Sequence, residues 1–247
     1  MSSLQGRRAL VTGASSGIGA ATAVALSAAG ADVLLVGRDT ARLERVASHC
    51  PRSSFVRLDV RDARAVQSAL SERDFDVVVN NAGLALGTDK MPAGDPEDWS
   101  TVIDTNVKGV LHVARATLPR MSARRTGDHV FVGSVAGRQV YPGGNVYCAT
   151  KHAVRALYES MRLDMAGSGV RLATVDPGMV QTGFSKVRFK GDAAKADAVY
   201  QGMRPLDPED VADAIVWLLT RPPHVNVGEI VLWPSVQAST TTVTRTS

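Results

Sequence analysis

"RALVTGASSGIGAATAVALSAAGADVLLVGR", residues 8–38, decides how the rest of the chain is read. A short apolar run ends at Gly13, small and apolar residues follow to Gly30, and a second apolar run ends at Gly37-Arg38. Brief apolar runs closed by glycine read as buried strands, and the segment between them has the length and composition of a helix. Strand, helix and strand without a hairpin signal begin a parallel sheet. The turn inside this unit, "TGASSGIG" at Thr12–Gly19, places Gly13, Gly17 and Gly19 in a G-x-x-x-G-x-G spacing. One glycine makes the tight turn, one lets backbone approach a pyrophosphate, and one packs the helix on the strand, while the helix start at Gly17 faces the phosphates.

The alternation continues to the far end of the chain. "SSFVRLDV", "FDVVVNNAG", "DHVFVGSVAG", "VRLATVDPG" and "GEIVLWP" read as further strands with helical stretches between them. Asp39 is the expected N-cap of the helix "DTARLERVASH", and Pro208 opens the amphipathic helix "PEDVADAIVWLLT". No linker and no repeat interrupts the pattern. The reading is α/β: a single doubly wound domain over residues 1–237, with a parallel seven-stranded sheet covered by helices on both faces. Residues 238–247, "STTTVTRTS" at their end, are polar and are expected to form a loose tail.

The totals narrow the function. The 247 residues carry a formal net charge of +4, but lysine and arginine are scattered, and the densest group, at Ser122–His129, suits a helix C-terminus. Nucleic acid is therefore not the expected partner. Cys50 and Cys148 are too few for a disulfide framework or a zinc site, and no metal is expected. No apolar run approaches the roughly 20 residues of a membrane span, and the start of the chain lacks a secretory pattern, so a cytoplasmic protein without a membrane partner is expected.

The end of the second strand bears on the ribose of a bound dinucleotide. An acid there would accept from a 2′-hydroxyl, whereas Gly37-Arg38 removes bulk and offers a planar cation suited to the 2′-phosphate of NADP. Asp39 tempers that preference unless it is occupied in capping. Arg42, one turn on, is a candidate second cation.

Over nearly its full length the chain resembles the short-chain dehydrogenase/reductase family. "TGASSGIG" is similar to the family's cofactor turn, and "LDV" at Leu58–Val60 to its adenine-side segment. "NNAG" at Asn80–Gly83 and "DPGMVQT" at Asp176–Thr182 are similar to its central-strand and nicotinamide-side motifs. Asn106, Ser134, Tyr147 and Lys151 match its catalytic tetrad. The resemblance implies a Rossmann fold and cofactor contacts at Gly13, Ser15, Ser16, Gly17, Ile18, Gly19 and Arg38. It implies further contacts at Asp59, Val60, Asn81, Ala82, Gly83, Tyr147, Lys151, Pro177, Gly178, Val180 and Thr182. "NNAGLALG", "YPGGNVYCATK", "FSKVRFKGD" and "PPHVN" resemble, more narrowly, bacterial NADP-dependent 3-hydroxy acid dehydrogenases acting on serine and L-allo-threonine. The chain departs from that group at Asp39, where a second basic residue is expected, and Gly133 before Ser134 is a change without an evident consequence.

Proton handling is what the protein must add to hydride chemistry. Tyr147 and Lys151 at i and i+4 share a helix face, and a nearby ammonium is expected to lower the phenol's pKa toward the working range. Ser134, at a strand's C-terminal end, would hold the substrate oxygen. By the resemblance, Asn106 would hold a water linking Lys151 to solvent, and Lys151 would also hold the nicotinamide ribose. His152 reads as packing or surface. Gln139, Tyr141, Asn145 and Arg188 are the substrate candidates, with Arg188 and Lys190 offering charge to a carboxylate from a lid at about residues 184–205.

The expected activity is hydride transfer between NADP(H) and a secondary alcohol or ketone, a 3-hydroxy acid first. A ketoreductase of secondary metabolism acting on a bulkier neutral ketone is the alternative, and a non-catalytic NADPH-sensing regulator the third reading. A homotetramer or homodimer is implied, pairing through helices that include Ala114 and Tyr158 and through the final strand near Trp233.

Overall fold

A computed structural model describes residues 4–246. The first half of the chain runs β1 (Arg8–Thr12), α1 (Gly17–Ala28), β2 (Asp32–Gly37), α2 (Thr40–Ala47), β3 (Ser53–Arg57), α3 (Ala63–Leu70), β4 (Val77–Asn80), α4 (Pro96–Ile103) and α5 (Gly109–Ala123). The second half runs β5 (Gly127–Val132), α6 (Asn145–Asp164), β6 (Val170–Pro177), α7 (Phe184–Arg188), α8 (Ala193–Ala198), α9 (Pro208–Leu219) and β7 (Glu229–Leu232). All strand pairs are parallel, in the order β3-β2-β1-β4-β5-β6-β7. The sequence expectation of a doubly wound sheet holds.

Alternation along each strand feeds two cores. Ala9 and Val11 of β1, with Val33 and Leu35 of β2, pack with Ala23 and Leu26 of α1 and with Val211 and Ile215 of α9. Leu10 and Leu34 point to the opposite face and meet Val66 of α3, Val110 and Val113 of α5, and Val154 and Tyr158 of α6. Because both faces are covered at the centre of the sheet, β1, β2 and β4 are near-continuous apolar runs, and truncating a buried leucine such as Leu10 to alanine costs about 2–5 kcal/mol. Asp39 caps α2 by accepting from the Arg42 backbone N–H, and Asp207 forms a capping box with Asp210 at α9.

β1 and β4 are neighbours at the centre of the sheet although two strands intervene in the chain. The winding reverses there, so the loops leaving the two strands diverge and open a crevice at their C-terminal ends. The functional motifs gather at this edge.

One expectation needs correction. The polar tail is bonded rather than loose: Thr240 N donates to Gln139 Oε1, Thr246 N to the Gly202 carbonyl, and Gln237 and Val243 form an antiparallel bridge. Arg245 adds bonds to the carbonyls of Gln201 and Val199. A polar segment can be ordered by such bonds without a core of its own; Ser247, like residues 1–3 of the expected domain, lies outside the described residues. Ala114 and Tyr158 are buried within the chain, because helical phase turns them inward. The same helices expose Leu111 of α5 and Leu163 of α6, and Trp217 of α9 and Val231 of β7 are exposed as well. Among the described residues no helix is long and apolar enough to cross a membrane, and no cluster of His, Cys, Asp or Glu could hold a metal.

Candidate active site

The glycine turn is built around close approaches. Gly13 and Gly17 adopt φ of +66° and +54°, and a Cβ at Gly19 would stand 2.4 Å from both Asn81 Nδ2 and the Gly13 carbonyl oxygen. Asn81 Nδ2 donates to Thr12 O at 2.9 Å, and the backbone N–H groups of Asn81 and Ala82 donate to Thr12 Oγ1 at 3.0 Å. The loop after β4 thereby braces the loop after β1. α1 starts behind Ser16 with no side-chain cap and no acid in its first turn, leaving the positive helix end open. Ile18 packs into the core beneath, and Thr182 lies against Gly17, 3.2 Å from its would-be Cβ. Ser15 and Ser16 flank the same opening. An uncapped helix start behind a turn with no room for side chains fits a dinucleotide pyrophosphate.

Further along the edge, Arg38 is exposed at the end of β2, while Asp39 accepts from Arg42 N at 3.0 Å and pairs with Arg42 Nε at 3.3 Å. Arg42 is thus spent on Asp39. Asp59 is held by Arg61 Nη2 at 2.6 Å, a bond that keeps its carboxyl below the usual range. The Val60 side chain packs against Gly109, and the Val60 carbonyl is bonded to His112 Nδ1.

Asn106 sits in a π-helical turn, Asp104–Lys108, between α4 and α5, where Gly109 N reaches back to the Asp104 carbonyl. Such wide turns mark functional positions often enough to notice. The Asn106 amide is buried and engaged: Oδ1 accepts from Leu84 N at 2.9 Å, and Nδ2 donates to Leu84 O at 2.9 Å and Thr150 Oγ1 at 3.0 Å. Its side chain therefore locks α6 to the loop after β4. Gly83 stands between it and Lys151, its would-be Cβ 3.2 Å from Asn106 Oδ1 and 3.7 Å from Lys151 Nζ.

Ser134 caps a short 3₁₀ turn, Val135–Gly137, after β5, its Oγ accepting from Ala136 N at 3.0 Å. Across from it α6 presents Tyr147 and, one turn on, Lys151, whose Nζ lies 5.9 Å from the phenol ring centroid and donates to Val132 O at 2.9 Å. The electrostatics depart from the sequence expectation. Burial pushes the Tyr147 phenol well above its ordinary value, with Ser134 and the Arg188 charge pulling the other way. Burial also pulls Lys151 down to about 8, opposed by the charge of Asp176. Desolvation outweighs the i,i+4 neighbour, so in this state the phenol is held protonated rather than activated.

The change at Gly133 has a structural reason. A Cβ there would fall 2.0 Å from Asp176 Oδ1. The space belongs to that buried carboxylate, which accepts from Thr174 Oγ1 at 2.6 Å and pairs with Arg138 Nε at 2.7 Å. Arg138 follows the Ser134 turn and also pairs with Glu229. One carboxylate thus ties the serine turn to β6, immediately before Pro177 and Gly178. Gly178 packs on Gln237, whose Oε1 accepts from Met179 N, while Val180 bridges to Leu206.

A recess beside Tyr147 is lined by Leu86, Trp99, Val102, Gly143 and Asn145 and by three acids, Asp89, Asp95 and Asp98, the last two paired with Lys190. Phe184 of α7 stacks edge-on against Tyr147 at 5.5 Å. Arg188 extends from the same helix to Tyr141 Oη at 2.9 Å and to the carbonyls of Gly87 and Gly143 at 3.3 Å. Its acceptors are neutral. Lys190 is different: it pairs with Asp98 at 2.8 Å and Asp95 at 3.7 Å, two acids that themselves line the recess. Asn145 Nδ2 bonds to the Asp89 carbonyl, whereas exposed Gln139 accepts from the tail at Thr240. His152 is exposed and bonds along its own helix to Cys148 O. Asp176 opens the "DPGMVQT" motif, but nothing local showed its partnership with Arg138 and Thr174, which Gly133 alone could have announced.

Residues 7–193 match the family described as short chain dehydrogenase. An NADP-dependent 3-hydroxy acid dehydrogenase of Schizosaccharomyces pombe is 40% identical, the match covering 99% of each chain. A sulfoacetaldehyde reductase of Chromohalobacter salexigens is 42% identical over 93% of this chain and 94% of its own. The closed form of a serine dehydrogenase complexed with NADP+ superposes with a TM-score of 0.92 at 39% identity, over 97% of this chain and 100% of that one.

Proposed function

Because the chain belongs to the short-chain dehydrogenase family, we propose that it is an NADP-dependent oxidoreductase interconverting a short 3-hydroxy acid and its carbonyl partner. Bound NADP supplies the hydride acceptor or donor. The glycine turn, with Ser15, Ser16 and the start of α1, holds its pyrophosphate, Arg38 its 2′-phosphate, and Asp59, Val60 and Ala82 border its adenine. Lys151 and Thr182, with Pro177, Gly178 and Val180, frame its nicotinamide end.

The chain's own residues handle the proton. Ser134 holds the substrate oxygen beside Tyr147, and Tyr147 takes the hydroxyl proton in oxidation or gives one to the developing alkoxide in reduction. Lys151 stabilises the phenolate formed by that donation. Asn106 keeps α6 and the loop after β4 in register so that Lys151 remains at the site.

One observation carries the substrate class: Arg188 hydrogen-bonds neutral acceptors only, two of them the carbonyls of Gly87 and Gly143, which line the recess. A half-buried guanidinium without a carboxylate partner suits an anionic group on a small substrate. Relatives named for a 3-hydroxy acid and for sulfoacetaldehyde agree in that both names denote molecules carrying such a group. Tyr141 and Asn145 complete the pocket, and residues 184–205 act as its lid. The protein works in the cytoplasm as a homodimer or homotetramer, covering Leu111, Trp217 and Val231.

Tyr147→Phe is expected to lower turnover about 100- to 10,000-fold while NADPH binding persists. Wild-type protein is expected to oxidise serine, allo-threonine or other 3-hydroxy acids in preference to neutral secondary alcohols. Turnover of neutral substrates alone would overturn the substrate class, and a fully active phenylalanine variant the mechanism.

A further inference from the structure

The edge formed by β2 and β3 holds a second cation that its position in the chain conceals. Arg57, the last residue of β3, is in register with Gly37, the last residue of β2. Residues paired across parallel strands send their side chains to the same face of the sheet. That face is known at Gly37, because a Cβ there would lie 3.4 Å from Ser15 Cβ and Oγ, in the glycine turn. Arg57 therefore emerges on the side of the sheet where the dinucleotide turn lies. Gly37 adds no side chain of its own there, and Leu43 and Ser15 pack close over it.

The guanidinium is also aimed. Arg57 Nε donates to the Arg38 carbonyl at 3.2 Å, which draws the group toward the β2-to-α2 corner. Neither Arg38 nor Arg57 has a carboxylate within ion-pairing distance among the described residues. Of the nearby acids, Asp39 pairs with Arg42 and Asp59 with Arg61, the Arg38 charge acting on Asp59 only as the smallest contribution. Edge strands do carry arginines to discourage pairing with other chains. Arg52, at the other end of β3, fits that description and pairs with Asp32 at 2.7 Å. Arg57 instead leans over the neighbouring strand end, toward the one exposed cation the dinucleotide site already uses.

We propose that Arg57 and Arg38 form a two-arginine clamp on the 2′-phosphate of NADP, and that Arg57 sets the preference for NADP over NAD in place of a basic residue at Asp39. A dianionic phosphate gains charge-assisted bonds from two planar donors, whereas a 2′-hydroxyl gains little from either. The proposal rests on the NADP reading.

Calorimetric titration of the wild type, Arg57→Met, Arg57→Lys and Arg38→Met with adenosine 2′,5′-bisphosphate and with 5′-AMP tests it without turnover. Arg57→Met is expected to weaken the bisphosphate tenfold or more and to leave 5′-AMP within about twofold, with partial recovery in Arg57→Lys. A bisphosphate affinity within twofold of wild type, or equal losses for both ligands, overturns the role of Arg57. If the wild type itself binds both ligands equally and Arg38→Met changes neither, the NADP reading fails, and the proposal with it.

Discussion

Gly133→Ala puts the arrangement around Asp176 to a test in which two physical effects have opposite signs. Gly133 does not adopt a positive φ, so its backbone conformation suits alanine, and chain entropy alone would stabilise the variant by about 0.4–1 kcal/mol. Packing says the reverse. The new methyl would stand 2.0 Å from Asp176 Oδ1 and 3.0 Å from Thr174 Oγ1. Ordinary contact requires the carboxylate to retreat by roughly 1 Å, and its bonds to Thr174 at 2.6 Å and Arg138 at 2.7 Å have no slack for that. With a side chain only 3% exposed, Asp176 has no water to replace a lost partner. Breaking such a buried pair costs about 3–5 kcal/mol.

Urea unfolding of Gly133→Ala, Asp176→Ala and the double variant separates the two. Each single change is expected to cost a few kcal/mol. In the double variant the methyl occupies vacated space and Arg138 retains Glu229. The combined loss should then fall short of the sum by about 2 kcal/mol or more. Because Ser134 adjoins Gly133, kcat of Gly133→Ala should drop on the order of 100-fold. A Gly133→Ala protein as stable and as active as wild type, or strictly additive losses, would refute the reasoning.

Other consequences are simpler. Arg188→Met should raise KM for a 3-hydroxy acid about 10- to 100-fold and change that of a neutral alcohol of equal length far less, since hydrogen bonds to charged groups contribute about 1.5–3 kcal/mol; equal losses would assign Arg188 to lid packing alone. His129 is fully buried, and burial pulls its pKa down to about 3. The unfolded chain therefore binds a proton below about pH 6.5 that the folded chain refuses, and stability present above that pH is lost as pH falls toward 3, by at most about 1.4 kcal/mol per pH unit. Denaturation at pH 7, 5.5 and 4 should show that slope in wild type and a shallower one in His129→Leu; identical slopes would exclude the histidine as the cause.

How much could be read from sequence follows the range of the forces involved. Strand, turn and cap signals act within a few residues, which is why the winding, the Asp39 cap and the glycine turn were all legible. The tetrad was legible as a pattern of residues, but its electrostatics were not. Burial dominates at both Tyr147 and Lys151, and burial is a property of the packed chain. Lys190 looked equivalent to Arg188 because nothing near it in sequence shows Asp95 and Asp98 folding against it. The same holds for Asp176 in the space left at Gly133, and for a polar tail whose partners lie at Gln139 and Gly202.

The two shifted groups together dictate how the site responds to pH. With its phenol held protonated, Tyr147 is ready to act as an acid, so carbonyl reduction has its proton donor in place from the start. The phenolate left behind needs the Lys151 ammonium, and that charge is lost as pH rises through about 8. Saturated reduction should therefore be level below that pH and fall above it, while oxidation, which needs the phenol proton removed and the ammonium kept, rises toward that pH and levels above it. Asp176 holds the lysine's affinity for its proton up against burial. Asp176→Asn removes that charge and leaves Arg138 facing the site, so the falling limb of reduction should move to lower pH. A purely structural role for Asp176 would lower the rate at every pH and leave the limb where it was. The position of the limb, measured as kcat for reduction between pH 6 and 10, decides between them.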